Sequence, residues 1–320
     1  MNKPLIWDNH ACMPLRPGEV AFLDQLSVYR SIDASVVSLN VGFDALHWSH
    51  TLKMLATFRD WVQQHPEHYR LIDTVEDVSD ARASNRLGIV FDIEGGSAVD
   101  DSPELVALYY ALGVRWMLIA YNNNNALGGG CQDDDQGLTR YGKRVIDAMQ
   151  EAGMVVCCSH TGLRTARDVL DYAQSPVIFS HSNPRALWDH PRNIPDDMIT
   201  ACAATGGVVG INGLGLFLGD NDNRTATICQ HIDYVAQLVG PEHVGLALDY
   251  VFDPEELEAF VQEKPEFFPP SNGYTRGFNM VEPARIPEIV ETLSAMGWDE
   301  PALRGLLGEN HLRVASEVWR

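Results

Sequence analysis

The stretch Gly88-Ile89-Val90-Phe91-Asp92-Ile93-Glu94 decides the reading of the fold. It is a short apolar run that stops on a carboxylate, as expected of a strand buried on both faces whose end reaches a polar mouth. Seven further runs of this kind recur, at Leu5 to His10, Val36 to Val41, Arg115 to Tyr121, Met154 to His160, Pro176 to His181, Gly207 to Asn212 and Val244 to Asp249. Helical periodicity fills most of the intervals, over Trp48 to Gln64, Pro103 to Leu112, Arg140 to Ala152, Thr161 to Ala173, Pro195 to Ala204 and Thr225 to Leu238. Tail helices are expected at 285–296 and 299–318. Alternation of this kind predicts repeated βα units and a parallel sheet. Eight strands close a barrel, whereas a doubly wound open sheet more often carries a G-x-G-x-x-G turn after its first strand, and none is present. The expected fold is therefore α/β, a (β/α)8 TIM-type barrel, with residues 1–320 forming one domain.

The 320 residues include 23 basic and 44 acidic side chains, a formal net charge of -21. That charge repels phosphate backbones and anionic lipid head groups, which argues against nucleic acid and membrane surfaces as partners. Hydrophobic content of 45% with 21% charged residues is that of a chain able to bury a sizeable core. The amino-terminal stretch Met1 to Asp8 holds a three-residue apolar run, too short for the core of a signal peptide. No run of 18 apolar residues occurs. The six cysteines lack the spacing of a small disulfide scaffold and point to reduced thiols in a cytoplasm.

In a parallel barrel the loops after the strands converge on one mouth, so strand ends carry the chemistry. Here those ends include His10, Glu94, Tyr121, His160, His181, Asn212 and Asp249. Apolar strands that stop on imidazoles and carboxylates are poorly explained by packing. Both groups are ligands that zinc accepts, and a catalytic zinc keeps one position open for water whose pKa falls to about 7. A site built on Glu94, His160 and His181 from three strands needs no compact H-E-x-x-H helix.

Taken in order along the chain, the motifs resemble the membrane (renal) dipeptidase family of binuclear zinc hydrolases. They are Asp92-Ile93-Glu94-Gly95-Gly96, Gly137-Leu138-Thr139 with Gly142, Ser159-His160, Ser180-His181-Ser182, Pro191-Arg192-Asn193, Leu248-Asp249-Tyr250 and the closing Gly308 to Val314. The resemblance implies that Glu94 bridges two metals, that His160 and His181 complete one of them, and that His10 belongs to the other. It also implies that Asp249 orients or deprotonates the attacking water. Arg192, with Asn193 beside it, would bind the substrate's carboxylate through a planar fork that lysine cannot reproduce.

Three positions depart from the family pattern. The first strand reads His10-Ala11-Cys12 where the family has His-x-Asp. Cys12 lies on the face of His10, and is either a thiolate ligand or a small buried hydrophobe beside a weak first site, so the count of zinc ions is one or two. Tyr121 stands where the family places a substrate-facing histidine; its hydroxyl could polarise the scissile carbonyl, or mark a different substrate. Cys157 replaces an acid three residues before His160.

Asn122 to Asn125 with Gly128 to Gly130 reads as a polar turn, and Asp133-Asp134-Asp135 as a solvated face rather than a calcium loop. The segment 253–280 reads as a loop. Within it Phe267, Phe268 and Tyr274 form either an apolar lid over the mouth or the face of a homodimer. The function expected is hydrolysis of a small amide by metal-bound hydroxide, most simply of a dipeptide. An N-acyl amino acid or another small amide is the alternative substrate, and a barrel that has lost catalysis and serves in binding is the alternative of another class.

Overall fold

The computed structural model describes residues 4–275 and 277–320. Met1 to Lys3, read above for targeting, and Arg276, within the 253–280 segment, lie outside the described residues. Eight strands run parallel around the core: Trp7–Cys12, Val36–Phe43, Leu87–Glu94, Val114–Leu118, Val155–Cys157, Val177–Ile178, Val209–Ile211 and Val244–Leu246. Ladders join the first six in chain order and the seventh to the eighth. The sixth meets the seventh through the parallel bridge Phe179 to Val209.

Closure depends on the first strand. A two-residue strand after the eighth, Tyr250–Val251, pairs with Ala11 and Cys12, and Asp249 N donates to His10 O. Beneath it the carboxylate of Asp8 accepts from Leu248 N at 2.9 Å and from the hydroxyl of Tyr29 at 2.6 Å. Burial raises its pKa to about 6 against the lowering effect of those bonds. One buried acid thus links the first strand to the chain leaving the last.

The helices form for legible local reasons. Over Arg140–Ala152, Thr139 caps the start by accepting from Gly142 N at 2.9 Å, and Gly153 ends it in the left-handed region at φ 87°. Its inner face buries Val145, Ile146 and Met149. The strands need no such alternation. Val36–Phe43 is buried along nearly its whole length because side chains fill the barrel on one side and helices cover the other.

Three features differ from the reading of the sequence. A short strand, Tyr69–Leu71, pairs with the start of the third strand, before the fourth joins at Phe91. The helix Val75–Ala83 follows it, opened by a reciprocal Thr74 and Asp77 capping box. The 253–280 segment is no plain loop: Pro254–Glu263 is helical, with Asp253 accepting from Glu256 N at 3.0 Å. The last tail helix is broken, with Gly305–Glu309 as a π turn between Glu300–Arg304 and Asn310–Val318. There Asn310 donates to the carbonyls of Pro241 and Val244, at 2.8 Å each, and ties the tail to the entry of the eighth strand.

Two buried histidines outside the mouth predict the response to acid. His231 pairs with Leu218 O at 2.9 Å and His311 with Leu246 O at 3.2 Å, and burial pushes each imidazole down to about 4. The unfolded chain, with histidine pKa near 6.5, binds protons that the native state refuses between those values, so stability is full above about pH 6.5 and is lost as pH falls toward 4. Denaturant midpoints should therefore drop from pH 7 to pH 5, with a shallower drop in His231→Gln. An identical pH slope in that variant would refute the assignment.

Candidate metal centre

The mouth is shaped by backbone that ordinary side chains rarely adopt. Asn122, His160 and Asp249 all sit in the left-handed region, with φ of 59°, 60° and 56°. Such positions cost of order 1 kcal/mol or more each and persist where surrounding contacts over-determine them. After Glu94 the chain turns at Gly95, φ 129°, where a Cβ would lie 2.1 Å from the carboxylate carbon of Asp44. That half-buried carboxylate accepts from Ser97 N at 2.8 Å, Tyr121 N at 2.9 Å and Asn125 Nδ2 at 2.8 Å. It binds together the loops that follow the second, third and fourth strands.

Three imidazoles converge on one carboxylate oxygen. Glu94 Oε1 lies 3.4 Å from His10 Nε2, 3.4 Å from His160 Nε2 and 3.2 Å from His181 Nε2. His160 Nε2 and His181 Nε2 are 2.9 Å apart. Every outward nitrogen is held: His160 Nδ1 on Asn122 Oδ1 at 2.7 Å, His181 Nδ1 on Ser180 Oγ at 2.8 Å, and His10 Nδ1 on Asp92 Oδ2 at 3.3 Å. For His160 and His181, donation through Nδ1 leaves the Nε2 lone pairs facing inward, the tautomer in which histidine binds metals. The rings of His10 and His181 stack at 4.1 Å above Trp116, which lies 5.4 Å from His10.

At the rim of this cluster Cys12 Sγ is 3.4 Å from His10 Nε2 and 3.6 Å from Asp249 Oδ1. Asp249 Oδ1 is 3.4 Å from His10 Nε2, and its Oδ2 accepts from Asn212 Nδ2 at 2.7 Å. Burial pushes the Glu94 carboxyl up to about 8, with Asp249 and Asp92 adding to the rise while His10 and Arg192 oppose it. Burial pushes His160 and His181 far below their usual value. For His10 the penalty of burial is outweighed by Cys12, Asp92 and Glu94, and the group rises. Asp249 is held low against its burial, chiefly by His10.

These residues fit a divalent cation. Glu94 Oε1 is buried and has no hydrogen-bond partner, and crowded carboxylates beside neutral imidazole lone pairs are stabilised by a cation between them. Among the described residues, Glu94, His160 and His181 form one close donor group, and His10, Cys12 and Glu94 another.

The cluster opens on a cavity of about 220 Å³, lined by Glu94, Tyr121, His160, Asp249 and a wall that includes Phe43, Leu214, Phe217, Phe260, Phe268 and Tyr274. Tyr121 stacks on His160 at 4.0 Å and meets Phe268 edge-on at 6.1 Å. Phe268 and Tyr274 are buried in their own chain, so this segment walls the cavity.

Arg192 is buried beside the mouth, its guanidinium 5.0 Å over the Phe217 ring. It donates to His181 O at 3.1 Å, and its Nε has no hydrogen-bond partner. Like Arg192, Asn193, read as a substrate ligand, is not among the residues that line this cavity. Its amide donates to the carbonyls of Trp188 and Phe217, at 2.8 and 2.9 Å, and so locks the loop that carries Arg192.

The sequence reading quoted Asp92 and Ser180 only within motifs and Asn122 only within a polar turn, and assigned none of them as a partner of a histidine. Asp92 stands two residues before Glu94 and so on its face, which could have flagged it, whereas adjacency to His181 gave no such signal for Ser180. Asn122 lay hidden in a stretch that reads as a polar turn. Cys157, in place of the expected acid, bonds Ser180 Oγ at 3.1 Å and so stands one residue behind His181. Asp133 and Asp134 are exposed, whereas Asp135 accepts from Thr165 N at 2.9 Å at the start of the helix Leu163–Tyr172.

Residues 27–265 match the profile of the membrane dipeptidase family, peptidase family M19. An uncharacterized protein from the pqqA 5' region of Klebsiella pneumoniae is 30% identical over 280 residues, covering 84% of this chain and 96% of the relative. An uncharacterized dipeptidase of Schizosaccharomyces pombe is 34% identical over 211 residues, 62% of this chain and 50% of the relative. Among solved structures, an amidohydrolase from Pseudomonas aeruginosa superposes with a TM-score of 0.87 at 23% identity, covering 99% of this chain and 97% of that one.

Asn122→Ala removes the acceptor that orients His160. Competition with a chromophoric chelator should show zinc affinity reduced roughly 10- to 100-fold, the range for loss of such an orienting group. Unchanged affinity would show that Asn122 serves the fold alone.

Proposed function

The chain belongs to the membrane dipeptidase family, and on that premise we propose that it is a zinc-dependent hydrolase of small amides, most simply a dipeptidase. The observation that carries the reading is the convergence of three inward-facing imidazole nitrogens on the partnerless oxygen of Glu94, at the floor of a cavity. Glu94, His160 and His181 would hold the metal, which when bound supplies a Lewis acid and a water acidic enough to ionise near neutral pH.

The remaining chemistry falls to side chains. Asp249, anchored through Oδ2 by Asn212, accepts the water proton at Oδ1 and returns it to the leaving amine. Tyr121 donates its hydroxyl to the scissile carbonyl. Its pKa, raised far above the usual value chiefly by burial, keeps it protonated for that task. Arg192, with Nε unused, takes the substrate carboxylate. The aromatic wall excludes water from the reacting groups. Six free cysteines support a reducing compartment such as the cytoplasm.

A second reading, an amidohydrolase acting on an N-acyl amino acid, has its own support. A free ammonium group would find few acids along this wall, because the rim carboxylates Asp253 and Glu256 already pair with Arg16 at 3.3 and 3.2 Å. Zinc-loaded protein assayed against dipeptides and N-acyl amino acids separates the two. Faster turnover of the acyl substrates selects the second reading, and turnover of neither class overturns both. In either case Asp249→Asn should lower kcat roughly 10²- to 10⁴-fold. Arg192→Lys should raise KM more than it lowers kcat, and an unaltered KM would remove Arg192 from substrate binding.

A further inference from the structure

We propose that Cys12 is a thiolate ligand, so that beside the open site on Glu94, His160 and His181 lies a second, softer cation site made by His10, Cys12 and Glu94 with Asp249 at its edge. The inference rests on the metal-dependent reading above and extends it to a residue that the reading does not use.

Its basis is the set of distances between donor atoms. His10 Nε2 lies 3.4 Å from Cys12 Sγ, 3.4 Å from Glu94 Oε1 and 3.4 Å from Asp249 Oδ1, and Cys12 Sγ lies 3.6 Å from Asp249 Oδ1. Zinc bonds of about 2.0–2.2 Å to nitrogen and oxygen and about 2.3 Å to sulfur set the edges of a coordination tetrahedron at roughly 3.3–3.6 Å. Each of these four separations fits such an edge, and His10, Cys12 and Glu94 form one close donor group with Asp249 beside it. A cysteine serving as a small apolar filler would turn toward the core, yet Cys12 faces an imidazole and a carboxylate. The partnerless, buried Oε1 of Glu94 is the second sign that a ligand belongs here.

The first strand explains how sulfur comes to this place. Residues two apart share a face, so Cys12 follows His10 into the mouth, and the pairing of Cys12 with Val251 fixes its height. On binding, the S–H bond breaks, the sulfur gives an electron pair to the cation and the proton leaves to solvent. Thiolate and carboxylate carry the same charge, so the balance of the site is kept while its preference moves from manganese and magnesium toward zinc, cobalt and cadmium.

Cobalt(II) tests this without reference to turnover. Chelator-treated protein titrated with cobalt(II) should develop a near-ultraviolet sulfur-to-cobalt charge-transfer band that is absent from Cys12→Ser and Cys12→Asp and kept in Cys131→Ser. Cys12→Asp should still bind as much cobalt as the parent and should bind manganese better. Circular dichroism checks the fold, and Cys12→Asp decides if Cys12→Ser proves unstable. No band at any cobalt loading of the parent, or a band that survives in a folded Cys12 variant, overturns the assignment. Amide hydrolysis measured on the same samples separates the two readings: a band without hydrolysis keeps the ligand and removes the catalytic proposal, and hydrolysis without a band does the reverse.

Discussion

The structure depends on one buried oxygen. Glu94 Oε1 has no hydrogen-bond partner, yet three imidazoles point at it from three other strands. Desolvating a carboxylate costs several kcal/mol unless a cation or a set of donors compensates. His160 and His181, kept neutral by burial, offer it only lone pairs, and His10 lowers the cost without removing it, since the carboxyl still rises to about 8; a divalent ion compensates it. Much of the surrounding architecture keeps that arrangement from collapsing. Asp92 holds His10, Asn122 holds His160, Ser180 holds His181, and the left-handed backbone at His160 and Asp249 aims their side chains.

Closing the barrel serves the same end. The chain leaving the eighth strand reaches the first through Asp8, and through the pairing of Tyr250 and Val251 with Ala11 and Cys12. This contact sets Asp249 beside His10 and Cys12. A slip of one residue would turn one side of that pair away from the mouth, because strand side chains alternate. Fold and centre are therefore specified by the same few hydrogen bonds.

Most of the barrel was legible in the sequence because buried parallel strands are continuous apolar runs, and because Glu94, His160 and His181 end three of them. The strand Tyr69–Leu71 is only three residues long and the helix Val75–Ala83 only nine. Runs so short carry little periodicity, although Thr74 and Asp77 left a capping signature. The helix Pro254–Glu263 was masked by the prolines and aromatics around it, whose burial is set by Tyr121 and Phe217, far away in sequence. The hydrogen-bond partners of Asn122 and Asn193 could not be read at all. Asparagine in a turn is ordinary, and what distinguishes these two is the partner that the fold brings to each.

Asn122 deserves a last consequence. Its Oδ1 receives the Nδ1 proton of His160, and its Nδ2 donates to the carbonyl of Phe267 at 2.9 Å, in the segment that walls the cavity. A single amide thus reads the state of the centre on one side and the seat of the aromatic wall on the other. Thermodynamic linkage makes such a connection reciprocal: whatever free energy a seated wall lends to cation binding, a bound cation returns to the wall.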